Sequence, residues 1–175
     1  MSRTVRRVPA DWVHPTDERG RKLPLIGEPI SKYLADWDKH KAKWDEGFIE
    51  ARGGWEPRSN SQEAMACGSF EEWWDERPRQ EDFMPEFPNG TATHFQMYEE
   101  TSDGTPISPV CATIEELARW LADNRASAVA GMPATYEEWL AMCRANCSVG
   151  SIAVVDGKAL SGVAAVSEAD RRGIR

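Results

Sequence analysis

Long apolar runs are missing from this 175-residue chain. No stretch approaches the ~20 apolar residues of a membrane-spanning helix, and no apolar region follows the basic residues at its start, as a secretory signal requires. Acidic residues outnumber basic ones, 29 to 21, which gives a formal net charge of −8. A net negative chain is a poor binder of the nucleic-acid backbone. The sequence therefore predicts a cytoplasmic protein with no membrane segment and no direct contact with nucleic acid.

The motifs of common catalytic sites are also missing. The chain has no glycine-rich dinucleotide or phosphate loop, no HExxH zinc motif and no GxSxG nucleophile turn. Among its four cysteines, Cys143 and Cys147 are four residues apart on a predicted helix, but no second pair of Cys or His follows at zinc-finger distance. We therefore expect reduced, structural cysteines, no metal, no cofactor and no assignable catalytic residue.

Helices are predicted from apolar spacing and from capping residues. An apolar pattern with three-and-four spacing follows Pro29, and proline is well tolerated where a helix begins. Ser69, Thr113 and Thr135 each precede a glutamate by three residues, which is the capping-box pattern. These positions predict one long helix in the first half of the chain, a short one after Ser69 and a pair after Thr113 and Thr135.

Strands are predicted only in the second half. Residues 94–98 alternate and pair with 107–112 in one expected hairpin, and residues 152–155 pair with 158–166 in another. The expected fold is α+β: an N-terminal helical region and a small antiparallel sheet of two hairpins, covered by the helix pair. The expected segments are an irregular arm at 1–28, a helical acidic region at 29–88, an α+β domain at 89–166 and a flexible tail at 167–175.

Histidines close to carboxylates are the candidate chemical sites. Asp36 and His40 are four residues apart on the first predicted helix, a spacing that a surface ion pair explains as well as a function does. His94, Tyr98 and Glu99 share a predicted strand and form a candidate ligand pocket between the sheet and the helices. This pocket supports one alternative function, a small-ligand-binding or hydrolytic protein.

Charge is most concentrated between residues 71 and 86, where seven acidic residues stand against two basic ones, beside several aromatic residues. Acidic groups next to exposed aromatic rings suit recognition of a basic partner. The competing interpretation is a solvated helix face with its aromatic residues in the core. On the first interpretation the partner-binding residues are Glu71, Glu72, Trp74, Asp75, Glu76, Glu81 and Asp82.

Several longer motifs are distinctive: MPEFP at 84–88, THFQMYE at 93–99, DGTPISPV at 103–110, EELARWLADN at 115–124 and SGV at 161–163. Through them, the chain resembles a family of uncharacterised proteins encoded by bacteriophages and prophages. The resemblance carries over no catalytic residue. It implies a phage accessory protein that acts in the cytoplasm of the bacterial host.

Together these observations favour a non-enzymatic binding protein. The leading hypothesis is a phage protein that binds and inhibits a host protein or nucleoprotein complex with a basic surface, as anti-CRISPR proteins do. In this mechanism, carboxylates near Trp74 occupy a site built for phosphates. A phage structural or assembly component is the second alternative to this hypothesis.

Overall fold

The computed structural model describes residues 3–99, 104–129, 131–148, 152–155 and 158–173. The chain divides into two compact units. The sheet unit comprises Met1–Gly27 and Glu86–Arg175, and the aromatic unit comprises Glu28–Pro85. In chain order the elements are β1 (Arg3–Val8), α1 (Ile30–Asp45), β2 (Phe48–Ala51), β3 (Gly54–Pro57), α2 (Gln62–Ala66), α3 (Phe70–Trp73), β4 (His94–Glu99), β5 (Thr105–Pro106), α4 (Ile114–Asp123), β6 (Ser127–Val129), β7 (Met132–Pro133), α5 (Tyr136–Ala145), β8 (Cys147–Ser148), β9 (Ile152–Val155), β10 (Lys158–Ser161) and α6 (Gly162–Arg171).

The sheet unit is organised around a four-stranded antiparallel sheet in the order β5-β4-β1-β8. β1 pairs with β4 along its whole length, from Arg3 opposite Glu99 to Val8 opposite His94. The α+β prediction is confirmed. The irregular arm expected at 1–28 is wrong for β1, because the start of the chain supplies an inner strand of the sheet.

The two faces of this sheet have different chemistry, because successive side chains of a strand point to opposite faces. Val5 and Met97 belong to a hydrophobic core with α4 and α5. Arg6 and Tyr98 lie on the other face, where the Arg6 guanidinium is 4.1 Å from the centroid of the Tyr98 ring. The segment after β1 covers that face and contributes the buried Leu25.

The helix pair forms as predicted, whereas the C-terminal hairpin differs in two respects. β9 and β10 pair with each other in a separate two-stranded sheet, so they do not extend the main one. The strand expected to reach residue 166 ends at Ser161, and α6 begins at Gly162. The flexible tail expected from residue 167 is also wrong as far as Arg171, because this part is helical and buries Ser167. The turn at Asp156 and Gly157 lies outside the described residues.

The aromatic unit packs α1 against the β2–β3 hairpin and the short helices that follow it. Its core is formed by Trp37, Trp44, Ile49, Ala64 and Phe70. α1 begins after Pro29, as the apolar pattern predicts, and buries Trp37, His40 and Trp44 on one side. The unit extends over 28–85, close to the expected helical region at 29–88, but it also contains a hairpin that the sequence analysis did not predict.

Candidate functional site

The acidic residues after Ser69 are presented by a short, well-anchored segment. The Ser69 hydroxyl accepts a hydrogen bond from the Glu72 amide at 3.3 Å, which begins α3. Phe70 is 2% exposed and lies edge-on to Trp37, with ring centroids 5.2 Å apart. On the other side of Trp74, the Asp75 carbonyl accepts a hydrogen bond from the Trp37 indole at 2.9 Å. These contacts fix the backbone on both sides of Trp74.

The predicted partner-binding residues fall into two groups by their ion pairs. Glu71, Asp75 and Glu76 are exposed, and within the described part of the chain no basic side chain pairs with them. Glu81 and Asp82 instead contact Arg79, at 3.6 and 3.2 Å. Arg79 therefore sets one positive charge against the two carboxylates of the second group.

Four exposed carboxylates lie close to one tryptophan in the sequence. We call the five residues Glu71, Glu72, Trp74, Asp75 and Glu76 the acidic surface. Its four carboxylates are exposed and its indole is half-buried. Glu72 also accepts a hydrogen bond from the Gly68 amide at 2.5 Å, which holds that carboxylate at the start of α3. The acidic surface combines exposed negative charge with an apolar ring, which can exclude water from a contact.

A histidine lies directly against the indole of the acidic surface. The imidazole of His40 stacks on Trp74 with ring centroids 4.2 Å apart and planes at 16°. Its Nδ1 is 2.8 Å from the Asp36 carbonyl oxygen, and its Nε2 is 2.7 Å from a Glu50 carboxylate oxygen. The helical spacing of Asp36 and His40 was visible in the sequence. The contacts with Glu50 and Trp74 were missed because they join separate elements.

The pKa of His40 follows from these neighbours. Burial opposes the charged form, but the hydrogen bonds to Glu50 and to the Asp36 carbonyl, with the negative charges of both residues, raise the pKa of His40 above its ordinary value of 6.5. The same contact lowers the pKa of the Glu50 carboxyl. Both shifts favour an imidazolium at the buried His40 beside an ionised Glu50 carboxylate at the surface.

The three residues of the alternative ligand pocket do not converge. Tyr98 is 0% exposed, and its hydroxyl donates to the Gln96 side chain and lies 3.2 Å from His14 Nδ1. Glu99 points to the opposite face, where it pairs with the buried Arg3 at 2.6 Å. His94, at the start of β4, contacts the Thr93 hydroxyl. The pocket expected between the sheet and the helices is not assembled from these residues.

Two of the described cysteines, Cys111 and Cys143, are buried as structural residues are, whereas Cys67 is partly exposed. Cys67, Cys111 and Cys143 are free thiols, and burial raises the pKa of Cys143 to about 12, so this thiol is uncharged and inert. The side chain of Cys147 lies outside the described part. Among the described residues no group of three or more His, Cys, Asp or Glu side chains is placed to hold a metal ion.

These observations define an α+β protein of two units with an acidic surface on one of them. Among the helices that the structure describes, none combines the length and apolar character needed to span a bilayer. No family model, curated protein or solved structure matches the chain.

Proposed function

We propose that the acidic surface docks onto a positively charged surface of another protein. The observation that supports this most directly is the set of exposed carboxylates of Glu71, Asp75 and Glu76, which take no ion pair in the described part of the chain. Within a folded unit, such charges repel one another and contribute little to stability. They become favourable when basic groups of a partner face them.

The indole of Trp74 gives this contact an apolar centre. Exposed ion pairs alone contribute only about 0–1 kcal/mol each, so charge by itself makes a weak and easily screened complex. Tryptophan is enriched among the residues that dominate binding energy, because it buries a large rigid ring. A partner that covers Trp74 removes water from the neighbouring carboxylates and strengthens their pairing with its basic groups.

The partner fitted to this surface is a protein that normally binds nucleic acid. Its basic site is built for phosphates, and the exposed carboxylates of the acidic surface can occupy that site in their place. In the phage context that the resemblance implies, such a partner is a host nucleoprotein complex, and docking inhibits it by blocking its substrate site. Glu81 and Asp82 contribute less than the sequence analysis predicted, because Arg79 pairs with both.

The test is capture of the partner from a lysate of the bacterial host, with the wild-type protein compared with a charge-reversed variant. The variant carries Glu71→Lys, Asp75→Lys and Glu76→Lys. We expect the wild type to retain one stoichiometric basic protein, identified by mass spectrometry, and the variant to lose it. The loss is expected because like charges placed opposite each other cost several kcal/mol.

A matched control separates this surface from the effect of net charge. Asp11, Glu18 and Asp123 belong to the sheet unit, are exposed, and take no ion pair among the described residues. Replacing these three with lysine changes the net charge by the same amount. The control is expected to retain the partner. Equal loss in both variants, or equal retention, contradicts the proposal.

A further inference from the structure

His40 is the only one of the three histidines in the chain whose ring stacks on a residue of the acidic surface among the contacts described. It is 5% exposed and lies between two indoles, stacked on Trp74 and tilted against Trp55 at a centroid distance of 5.2 Å. Both ring nitrogens face oxygen atoms. The position is unusual because a titratable ring is almost fully removed from water while both of its nitrogens keep oxygen partners.

Hydrogen-bond direction determines the charge of this ring. The Asp36 carbonyl oxygen 2.8 Å from Nδ1 only accepts hydrogen bonds, and the ionised Glu50 carboxylate 2.7 Å from Nε2 does so as well. A neutral imidazole has a single N–H, so one of its nitrogens would direct a lone pair at one of these oxygens. Only the imidazolium satisfies both contacts.

We propose that His40 is a positioning residue for the acidic surface, in which its protonated ring holds the Trp74 indole in place and loss of the proton releases it. The consequence for partner binding rests on the docking function proposed above. The stack of a cation on the face of an indole is itself favourable, and more so when the pair is removed from water. Deprotonation removes this attraction and breaks one of the two ring hydrogen bonds.

The groups that face His40 determine how readily its ring loses a proton. The Asp36 carboxylate lies 3.5 Å from Nδ1 on the same helix, and Glu50 approaches from β2. From β3 and from the segment after α3, the ring meets only the indoles of Trp55 and Trp74. The Lys39 ammonium lies 5.1 Å from the centroid of the Trp55 ring, and its charge helps to lower the pKa of Glu50. The charges of Asp36 and Glu50 both favour the imidazolium.

The sign of the pH effect follows from the raised pKa. The folded protein binds this proton more tightly than the unfolded chain, so His40 contributes its full stabilisation below pH 6.5, the ordinary value for histidine. That contribution is lost as the pH rises through the folded-state pKa. The order of Trp74, and with it the acidic surface, decreases over the same range.

The experiment is a pH titration of the whole protein by NMR and by tryptophan fluorescence. We expect the His40 ring protons to titrate with a midpoint above 6.5. The Trp74 emission, identified by its loss in Trp74→Phe, is expected to follow the same midpoint, because a protonated imidazole quenches a stacked indole. His14 is the internal reference, since burial together with the charges of Lys22 and Arg6 lowers its pKa despite the opposing hydrogen bond to Leu23.

Two variants on the β2–β3 hairpin test the cause. Glu50→Gln removes the carboxylate that favours the imidazolium, so the His40 midpoint is expected to move to lower pH. Glu56→Gln removes one charge from the facing strand, at a residue that takes no ion pair among the described residues, and is expected to leave the midpoint unchanged. A wild-type midpoint at or below 6.5, or the same midpoint in Glu50→Gln as in the wild type, overturns the proposal.

The His40 titration and the Trp74 emission are measured without a partner, so their outcome does not depend on the docking function. The link between the two is tested by measuring the captured complex at pH values below and above the His40 midpoint. We expect affinity to fall as the pH rises, with a transition that moves to lower pH in Glu50→Gln. A transition that is absent or that stays in place in this variant overturns the regulation of docking, whatever the ring titration gives.

Discussion

Arg3 and Arg6 are charged side chains buried on opposite faces of β1. The Arg3 guanidinium pairs with Glu99 and donates to the Ser127 carbonyl through both Nε and one terminal nitrogen, at 3.1 and 2.9 Å. Arg6 donates to the Leu25 carbonyl at 2.9 Å. Buried charges are tolerated where oxygen atoms of the fold surround them. The oxygen atoms around the buried ring of His40 favour its charged form in the same way.

The backbone is tightly packed around Arg6, and the closest approach is between Gly104 and Leu25. Gly104 has a φ of +65°, and a Cβ placed there would lie 1.9 Å from the Leu25 carbonyl oxygen. The Leu25 amide in turn donates to the Gly104 carbonyl at 3.2 Å. Two backbone segments therefore meet at a distance that only glycine allows.

At the residue scale we predict a difference between two glycine variants. Gly20 has a similar φ of +74° with no atom within 4 Å of the added carbon, so Gly20→Ala is expected to cost only the backbone term of about 1–2 kcal/mol. Gly104→Ala adds a steric clash and is expected to cost a further ~1–3 kcal/mol. Urea unfolding measures both changes. Equal losses in the two variants contradict the close approach.

At the element scale, the three capping sequences begin helices as predicted, but they close differently. Thr135 and Glu138 form the full reciprocal box, in which the glutamate carboxylate accepts from the Thr135 amide at 2.8 Å. In α4 the corresponding carboxylate of Glu116 accepts from Ala112, the residue before the cap. The pattern in the sequence identifies where each helix begins without fixing which amide the glutamate reaches.

We predict that Thr135→Ala lowers the free energy of unfolding by about 1 kcal/mol, because the Glu138 amide loses its acceptor. Thr135→Ser keeps the hydroxyl and is expected to retain most of that stability. Chemical denaturation of the two variants, side by side, gives the comparison. If serine is as destabilising as alanine, the hydroxyl is not what caps α5.

Among the elements that the sequence analysis did not predict, β1 and α6 each have a physical reason. β1 contains three arginines in six residues, which a sequence reading assigns to solvent. Arg7 is exposed, but Arg3 and Arg6 are buried, and their burial depends on Glu99 and on carbonyl groups distant in the chain. The start of α6 is a short apolar run, and such runs are ambiguous between strand and helix. The run was assigned to the preceding strand, although Val163 and Ala164 are buried on the helix.

The sequence predicts the charge of the candidate site, but not the contacts that hold Trp74 in place. The acidic residues around Trp74 stand out in the sequence, and the structure leaves Glu71, Asp75 and Glu76 exposed. The stack of His40 on Trp74 depends on the packing of α1 against the segment after α3, which no local pattern encodes. Helical spacing indicated Asp36 as the partner of His40, whereas its closest carboxylate is Glu50 on the hairpin.

At the scale of the whole molecule, the sheet unit is assembled from both ends of the chain, with residues 28–85 inserted between them in the sequence. β1 lies between β4 and β8, so the sheet cannot form its native order without it. Each unit has a hydrophobic core of its own. Loss of the first strand should therefore affect the units unequally.

We predict that a chain beginning at Pro9 loses the folded sheet unit while the aromatic unit stays folded. In NMR spectra, the amide signals of β4 and α4 are expected to collapse to unfolded positions, because Met97 and Leu117 lose their packing against Val5. The indole signals of Trp37 and Trp44 are expected to keep their dispersion. A truncated chain with native signals throughout would agree with an irregular arm and contradict the sheet order.

The central claim is that exposed carboxylates around Trp74 bind a basic partner. The most direct measurement is the Kd of the purified complex as salt rises from about 0.01 M to about 1 M, over which the Debye length falls from about 30 Å to about 3 Å. Our account predicts a steep, continuous loss of affinity, and a much shallower dependence when Glu71, Asp75 and Glu76 are replaced with glutamine. A Kd that stays constant over this range contradicts it.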